Sequence, residues 1–196
     1  MSASATMDFE AAFETLGKRS NGDRPDWWHA ARSEAFAAFR HLGFPTRRHE
    51  EWKYPDVRSI AKRPYRLPAA APVAADLSAV AMHRSPDDLE FVFVDGVYAA
   101  AQSTNGAMPD GVWAGPLSEA VESRRELVSG AVCVDGGCDS FTALNTAFLD
   151  QGIVIDIEPK QVVPVTIHII HVVSGDGADL MAAPHTIVRV GAHSEV

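Results

Sequence analysis

The stretch that decides the fold reads Val165-Thr166-Ile167-His168-Ile169-Ile170-His171-Val172-Val173. Successive side chains of a strand point to opposite faces, and β-branched residues favour that conformation. The alternation gives one face Val165, Ile167, Ile169 and Val173 and the other face Thr166, His168 and Val172. We therefore predict a strand over residues 162–173.

Shorter strand patterns lie on both sides of this stretch. Residues 153–157 precede it and residues 186–190 follow it, with Pro, Gly and Asp between the runs. Further upstream, residues 90–94 and 97–101 flank Asp95-Gly96, a two-residue connection that suits a type I′ hairpin. Such strands, joined by short connections, suit a sandwich, a barrel or a β-solenoid, and the residues alone leave that choice open.

The N-terminal third of the chain carries helical patterns instead. Apolar residues recur at helical spacing from Phe9 to Leu16, and we expect Gly17 to end this first helix. The adjacent Trp27 and Trp28 suit core packing better than a platform for an aromatic or sugar ligand.

A second helix is marked at both ends. We expect Asp26 to cap its first N–H groups. The apolar stripe of this helix consists of Trp28, Ala31, Ala35, Phe39 and Leu42. After it, Gly43 provides a left-handed residue, Phe44 is placed to fold back on Phe39, and Pro45 prevents the helix from continuing.

Two more helices are predicted before the last strands. Apolar residues at 117, 120, 121, 127 and 128 indicate one helix over residues 117–128. Another is expected over residues 140–149, with Gly152 closing it.

The composition is that of a globular protein, with 46% hydrophobic and 22% charged residues. Its net charge of −9 argues against generic affinity for nucleic acid or anionic membranes. The first ten residues lack the pattern of an export signal, and no apolar run approaches the roughly 18 residues of a membrane span. With only two cysteines, a cytoplasmic protein is expected.

The charge is divided unevenly along the chain. Residues 1–66 hold twelve basic and nine acidic residues, whereas the remainder holds five and seventeen. The composition changes across an Ala/Pro-rich stretch. We therefore predict a helical N-terminal domain (1–66), a linker (67–76), a mixed α/β segment (77–138) with its hairpin at 90–101, and a strand-rich part with a lead-in helix (139–196).

Three histidines are the leading candidates for metal ligands. His168, His171 and His185 lie close together in a strand-rich segment, and imidazole is the commonest metal ligand. Residues 168 and 171 are an odd number apart, so a regular strand turns them to opposite faces. We expect one histidine in a polar face and one satisfied within a core, and we assign no metal site.

Cys133 and Cys138 form a C-x4-C pair around Asp135-Gly136-Gly137. Structural zinc sites and most iron–sulfur clusters take four ligands, and the sequence has no second cysteine pair. We interpret both as loop thiols, with a redox or cluster role as the alternative.

The run over residues 46–54 mixes charges of both signs with aromatic residues. It suits a phosphate or partner site, and it equally suits a surface where a helical head meets its own body. No phosphate loop, nucleophile elbow or HExxH motif occurs in the sequence.

A family resemblance rests on three ordered segments. They are Leu42-Gly43-Phe44-Pro45-Thr46-Arg47-Arg48-His49-Glu50-Glu51-Trp52-Lys53-Tyr54, then Phe93-Val94-Asp95-Gly96-Val97-Tyr98, then Phe141-Thr142-Ala143-Leu144-Asn145-Thr146-Ala147-Phe148. Together they resemble the SufB/SufD family of iron–sulfur cluster assembly proteins. Residues 152–155 and 164–168 are similar to the first core strands of that family.

The resemblance implies an α+β fold in which a helical N-terminal domain is followed by the start of a right-handed parallel β-helix. It also implies a scaffold subunit with no chemistry of its own. Such a subunit pairs with SufB through the β-helices, and the ATPase SufC docks on a later helical segment. The complex builds a nascent iron–sulfur cluster from sulfur that a cysteine desulfurase system delivers.

The resemblance also implies that this chain is a fragment or a naturally short form. Family members are longer, and the SufC-docking segment is expected beyond Val196. Relatives have a His-Pro-Arg stretch where this chain has Pro184-His185-Thr186, so no role is carried onto His185. We assign no catalytic, cofactor-binding or metal-binding residue and no cofactor, and we expect self-association through an open strand edge.

Two other functions compete with the scaffold. The first is a small metal-dependent β-fold enzyme that uses His168, His171 or His185, and stoichiometric metal in the purified protein would distinguish it. The second is a regulatory binding module whose basic residues 1–66 contact an acidic partner, and salt-sensitive capture would favour it.

Overall fold

The computed structural model describes residues 8–20, 24–54, 56–83, 85–103, 107–132, 138–174 and 179–196. The fold class is α+β, as predicted, with helices and two three-stranded sheets. The chain divides into two compact units. The helical unit comprises Met1–Leu67, Ser129–Leu149 and Asp179–Ala183, and the strand unit comprises Pro68–Val128, Asp150–Ala178 and Pro184–Val196.

The α-helices are α1 (Phe9–Ser20), α2 (Asp26–Leu42), α3 (Arg58–Ala61), α4 (Leu117–Ser123), α5 (Arg125–Ala131) and α6 (Ser140–Ala147). Short 3₁₀ helices cover Glu50–Trp52, Ser78–His83 and Ala100–Gln102. The strands are β1 (Leu89–Val94), β2 (Val97–Tyr98), β3 (Val112–Pro116), β4 (Gly152–Ile157), β5 (Ile167–Val172) and β6 (His185–Val190). None of the described helices is both long and apolar enough to cross a membrane.

The predicted ends of α1 and α2 need correction. α1 runs through Gly17 to Ser20, because two basic residues in its last turn complement the helix dipole. Asp26 is the first residue of α2 rather than its cap, and the cap position falls on Pro25. The Pro25 carbonyl accepts a hydrogen bond from the Trp28 N–H at 2.9 Å, so the helix begins without a side-chain cap.

The apolar stripe of α2 is buried except at its end. Trp28, Ala31, Ala35 and Phe39 are buried, as predicted, whereas Leu42 is 45% exposed. Leu42 lies in the last turn, where the chain leaves the core through Gly43 at a φ of 62°.

The core of the helical unit joins segments that are far apart in the sequence. α6 packs against α2, and the ring of Phe148 contacts the rings of Phe13 and Phe36 at centroid distances of 6.1 and 6.2 Å. The buried Arg32 donates from Nε to the Ala147 carbonyl at 2.9 Å. Aromatic packing and one buried guanidinium therefore fasten α6 to α2.

The predicted hairpin is present in the strand unit, but its second strand is shorter than predicted. β2 covers Val97–Tyr98, and a 3₁₀ helix at Ala100–Gln102 follows where the strand was expected to continue to residue 101. β1 and β2 pair antiparallel, and Asp95 and Gly96 have φ values of 53° and 83°. Both turn residues therefore have the positive φ of a type I′ turn, which Asp and Gly tolerate better than most residues.

Each sheet of the strand unit combines one antiparallel and one parallel pair. The strand orders are β2-β1-β5 and β3-β4-β6, and the pairs β1–β5 and β4–β6 are parallel. Side chains from β1, β3 and β4 form a buried cluster, against which residues of β5 pack. Neither sheet closes on itself within the described residues.

Three predicted boundaries are wrong in this region. The strand expected over residues 162–173 is shorter and covers Ile167–Val172, because Pro164 has no N–H to donate to a strand ladder. The helix expected over residues 117–128 is interrupted at Arg124, whose backbone leaves the helical region with φ −132° and ψ 37°. Gly152 does not close α6, which ends at Ala147 with Phe148 in the C-cap position; Gly152 instead begins β4. A side chain at Gly152 would collide with the backbone of His185, so the close approach of β6 requires glycine there.

Candidate interaction edge of the strand unit

Two successive stretches of the strand unit stack at a constant offset. The register pairs each residue of β4 with the residue of β6 that lies 33 positions later. The same offset continues beyond the strands, where the Gln161 N–H donates to the Ser194 hydroxyl at 3.1 Å and Val162 forms a parallel bridge with Glu195. One turn of the chain therefore lies directly on the previous turn.

A buried carboxylate fixes this register. Asp156 of β4 is 5% exposed, and Arg189 of β6 binds it in two places, with Nε–Oδ1 at 2.6 Å and Nη2–Oδ2 at 2.7 Å. Arg124 approaches Oδ2 to 3.1 Å and stacks over the Trp113 ring at 5.0 Å. The hydrogen bonds to Asp156, together with its charge, raise the pKa of Arg189.

Each three-stranded sheet has two edge strands, and the parallel stacking ends at β6 in one sheet and at β5 in the other. β6 is the last strand of its sheet and β5 is the last strand of the other, so one row of backbone groups on each lacks a strand partner among the described residues. On β6, Val188 and Val190 are 52% and 43% exposed, while Ile187 is buried. An exposed, apolar strand edge is a template for pairing with another polypeptide.

A cavity of about 480 Å³ lies beside this edge. Ile155 and Ile157 of β4 line it together with Ile167 of β5, Val188 of β6 and Val196. Apolar residues of both sheets therefore border one space, as the interior of a stacked β structure requires.

His168 is satisfied by a neighbouring carboxylate. Its Nε2 lies 2.9 Å from Oδ2 of Asp88. Burial acts to raise the pKa of the Asp88 carboxyl, but hydrogen bonds from the Ser85 N–H, His168 and Thr166, with the charge of His168, outweigh it and lower the pKa. This pair forms an ordinary polar contact at the start of β1 and β5.

The other two candidate histidines lie in different surroundings. His171 stacks on Phe93 with ring centroids 5.0 Å apart, and partial burial there lowers its pKa. His185 begins β6, where its N–H donates to the Gln151 carbonyl at 3.0 Å. Over the described ranges, no three His, Cys, Asp or Glu side chains gather in a way that could hold a metal ion.

The interpretation of the cysteines as loop thiols is wrong for Cys138, which is disulfide-bonded. A disulfide sulfur cannot act as a thiolate nucleophile or ligand, because that chemistry needs the reduced, deprotonated group. Cys133 lies outside the described residues.

The family follows from comparison with known proteins. The sequence profile described as the SufBD protein N-terminal region matches residues 4–169. The chain belongs to the SufBD protein family. This membership places the chain in iron–sulfur cluster assembly. A search of curated proteins gave no match.

The SufBD match covers every segment on which the resemblance was based, from the run after α2 to the start of β5. β6 lies outside the matched residues. The stacking of β6 on β4 is therefore a structural observation that is independent of the family match.

Two of the three aromatic residues of the SufBD head segment (residues 42–54) face the helical core, whereas Tyr54 is 85% exposed. Phe44 and Trp52 contact the Phe141 ring at centroid distances of 5.8 and 5.1 Å. Phe44 also folds back on Phe39 at 5.3 Å, as predicted. Edge-to-face and tilted ring contacts therefore join the segment to α2 and α6.

Arg47 of the head segment forms an ion pair with Asp56, which lies just after the segment and also binds Arg58. Arg58 binds Asp56 through Nε and Nη2, with the shortest contact at 2.6 Å, and Arg47 lies 3.6 Å from the same carboxylate. The hydrogen bonds from Arg58 hold the pKa of Asp56 well below its usual range. Part of the charge pattern therefore serves local pairing within the helical unit.

The sequence arguments missed Asp156, Arg124 and Asp88. Asp156 stands within an apolar run of β4, and a charged residue at a buried strand position is a signal for a buried partner. Finding the partner requires the offset between β4 and β6, which irregular repeats in the sequence do not provide.

Proposed function

We propose that this SufBD protein is a non-catalytic scaffold subunit of the SufD branch. In this proposal it works in the cytoplasm with SufB and SufC and contributes contacts rather than catalytic residues. The observation that carries the proposal is the stacked strand ladder with its open edge, in a chain whose family assembles iron–sulfur clusters. The SufD branch is proposed from the segments quoted above.

The stacked strands are our reason for proposing that this part of the chain forms the first coils of a right-handed parallel β-helix. Parallel pairs occur in both sheets, and one of them keeps a single offset beyond the strand ends. Each coil of such a fold buries its side chains against the next coil. The boundaries 1–66, 67–76, 77–138 and 139–196 remain predictions, which limited proteolysis of the full chain tests.

The outer edge of β6 is the proposed contact with SufB. Its open backbone groups offer main-chain hydrogen bonds, and Val188 and Val190 offer apolar side chains beside them. A β-helical partner presents strands that can continue the same ladder. In this proposal SufC docks outside residues 1–196, so we expect residues 1–196 alone neither to bind SufC stably nor to stimulate its ATPase.

The test measures binding of the full chain to purified SufB and, separately, to SufC. We expect a complex with SufB by size-exclusion chromatography with light scattering, and no stable complex with SufC alone. Val188→Lys should weaken SufB binding at least tenfold, because it places a charge on the pairing edge.

The matched control is Val73→Lys. Val73 is 50% exposed, close to the 52% of Val188, but it does not lie on β6. Equal binding of the two variants would reject the β6 edge as the contact. Failure of the unmodified chain to bind SufB would reject the scaffold assignment itself.

A further inference from the structure

The helical unit contains a cavity of about 510 Å³ that the proposed scaffold role does not use. Its lining comes from α1, the turn after α2, α3, α6 and the segment around residues 180–183. All of these segments belong to the helical unit. A volume of this size is within the range of sites that hold small molecules.

Aromatic rings form much of the wall. Phe9 contacts Phe44 and Phe148 at centroid distances of 5.7 and 6.3 Å, and Phe44 contacts Phe141 at 5.8 Å. All four residues line the cavity. Connected rings of this kind offer faces and edges that suit a planar, apolar ligand.

Two polar side chains line the same space without a hydrogen-bond partner among the described residues. They are the amide of Asn145 and the phenol of Tyr65, both only partly exposed. Thr142 also lines the cavity, but its hydroxyl already donates to Asp139 at 2.7 Å.

No hydrogen bond among the described residues explains why an asparagine stands at position 145. It lies inside α6, where Asn has lower helix propensity than Ala or Leu. Its amide atoms are not among the fully buried polar atoms without a partner, so water reaches the amide when the cavity is empty. A ligand with one complementary polar group would take the place of that water.

The lining excludes two kinds of occupant. None of the described residues that line the cavity carries a charge, so an ionic ligand would find no counter-charge among them. Of the described large hydrophobic residues that line the cavity, only Ile60 is substantially exposed, at 40%. A broad protein interface would need a larger apolar rim.

We propose that this cavity binds an uncharged aromatic small molecule that carries one hydrogen-bonding group. The ring lies among the phenylalanines, and the polar group meets the amide of Asn145 or the phenol of Tyr65. The site is independent of the β6 edge and of the proposed scaffold role.

The experiment uses the full chain and three probes, followed by protein-detected NMR. Indole has a ring and one N–H donor, benzothiophene has nearly the same shape without that donor, and benzoate carries a charge. We expect indole to saturate with a dissociation constant of about 0.1–1 mM. Indole should bind about five- to tenfold more tightly than benzothiophene, and benzoate should not saturate.

Two variants test the location and the hydrogen bond. Ala182 is exposed and lines the cavity, so Ala182→Phe should block indole, whereas Ala37→Phe at an exposed position of α2 outside the lining should not. Asn145→Ala should remove most of the preference for indole over benzothiophene.

Four outcomes would overturn the proposal. The first three are no saturable indole binding, indole binding that Ala182→Phe leaves unchanged, and an indole preference that persists in both Asn145→Ala and Tyr65→Phe. A short tryptophan-containing peptide that binds more than tenfold tighter than indole would also overturn it, because the occupant would then be a polypeptide side chain.

Discussion

The two units differ in how their polar side chains are paired. In the strand unit, the buried Asp156 meets Arg189 directly across a parallel register, and a second arginine completes the cluster. In the helical unit, aromatic side chains pack at tilted and perpendicular angles and leave a cavity that contains the unpaired amide of Asn145. Paired strands place each residue opposite one particular residue of the neighbouring strand. Packed helices with large aromatic side chains instead leave space between the rings.

This difference separates the kinds of interaction that each unit supports. The stacked ladder ends on an open edge with repeating backbone groups, which favours another polypeptide strand. The irregular aromatic packing of the helical unit leaves a small cavity that is open to solvent on one side, which favours a compact ligand. The following predictions test two statements. The stability of the helical unit depends on its aromatic packing, and the stability of the strand unit depends on the register between β4 and β6.

The largest expected effect is in the aromatic core. Phe39 is 6% exposed and contacts the rings of Phe9 and Phe44 at 5.6 and 5.3 Å. Phe39→Ala should therefore lower the free energy of unfolding by about 3–5 kcal/mol, measured by chemical denaturation.

The matched control is Leu42→Ala on the same helix. Leu42 is 45% exposed, so its truncation should change the free energy of unfolding by less than about 1 kcal/mol. Similar losses for the two variants would contradict the assignment of Phe39 to the core and Leu42 to the surface.

Local patterns were enough to predict most secondary-structure elements. The Asp95-Gly96 pair identified its hairpin because few residue pairs tolerate two positive φ values. The prediction of one helix over residues 117–128 failed because Arg124 leaves the helical conformation and binds Asp156, a contact between residues distant in the sequence. Gly152 shows the same limit, since its role depends on the backbone of His185 that packs beside it.

The candidate sites were predicted less completely for the same reason. Residue spacing correctly argued against pairing His168 with His171 on one strand face, but it could not identify Asp88 as the partner of His168. The cavity around Asn145 draws on segments from α1 to residue 183, and no local pattern brings those segments together. The family resemblance gave the order of the segments but no contacts.

The second prediction concerns the register of the strand unit. Asp156→Asn removes the negative charge between Arg124 and Arg189, which are 34% and 55% exposed at their side chains and can recover part of their hydration. We expect a loss of about 2 kcal/mol in the free energy of unfolding. The exposed pair Arg40–Glu10 provides the control, since Arg40→Ala should cost less than about 0.5 kcal/mol.

An equal, small effect of both substitutions would mean that the Asp156 cluster does not hold the ladder. Hydrogen exchange sharpens the measurement, because Asp156→Asn should increase exchange of the β6 amides that bond to β4.

The third prediction concerns the start of α6 in the helical unit. The Asp139 carboxylate caps the helix by accepting from the N–H groups of Phe141 and Thr142 at 2.8 and 3.0 Å. Asp139→Ala should therefore lower the free energy of unfolding by about 1 kcal/mol at pH 7.

The effect of Asp139→Ala should depend on pH in a defined direction. The side-chain hydrogen bond from Thr142, followed by the backbone hydrogen bonds, lowers the pKa of Asp139. A carboxylate with a lowered pKa in the folded state stabilises it above its ordinary value, and that contribution is lost as the pH falls below about 4. The difference between variant and unmodified chain should narrow on acidification, and a difference that widens there would contradict this role.

The smallest expected change in stability is at the open edge. Val188 is 52% exposed, so Val188→Lys should alter the free energy of unfolding by less than about 0.5 kcal/mol. Without SufB, the unmodified β6 edge should instead pair with a second copy of the chain, because exposed strand edges associate when no charge opposes them. Light scattering should show concentration-dependent dimers that Val188→Lys removes and Val73→Lys retains. A strictly monomeric chain whose β6 amides are all strongly protected would mean that the edge is already paired internally, and the stacked-ladder account of the strand unit would then be wrong.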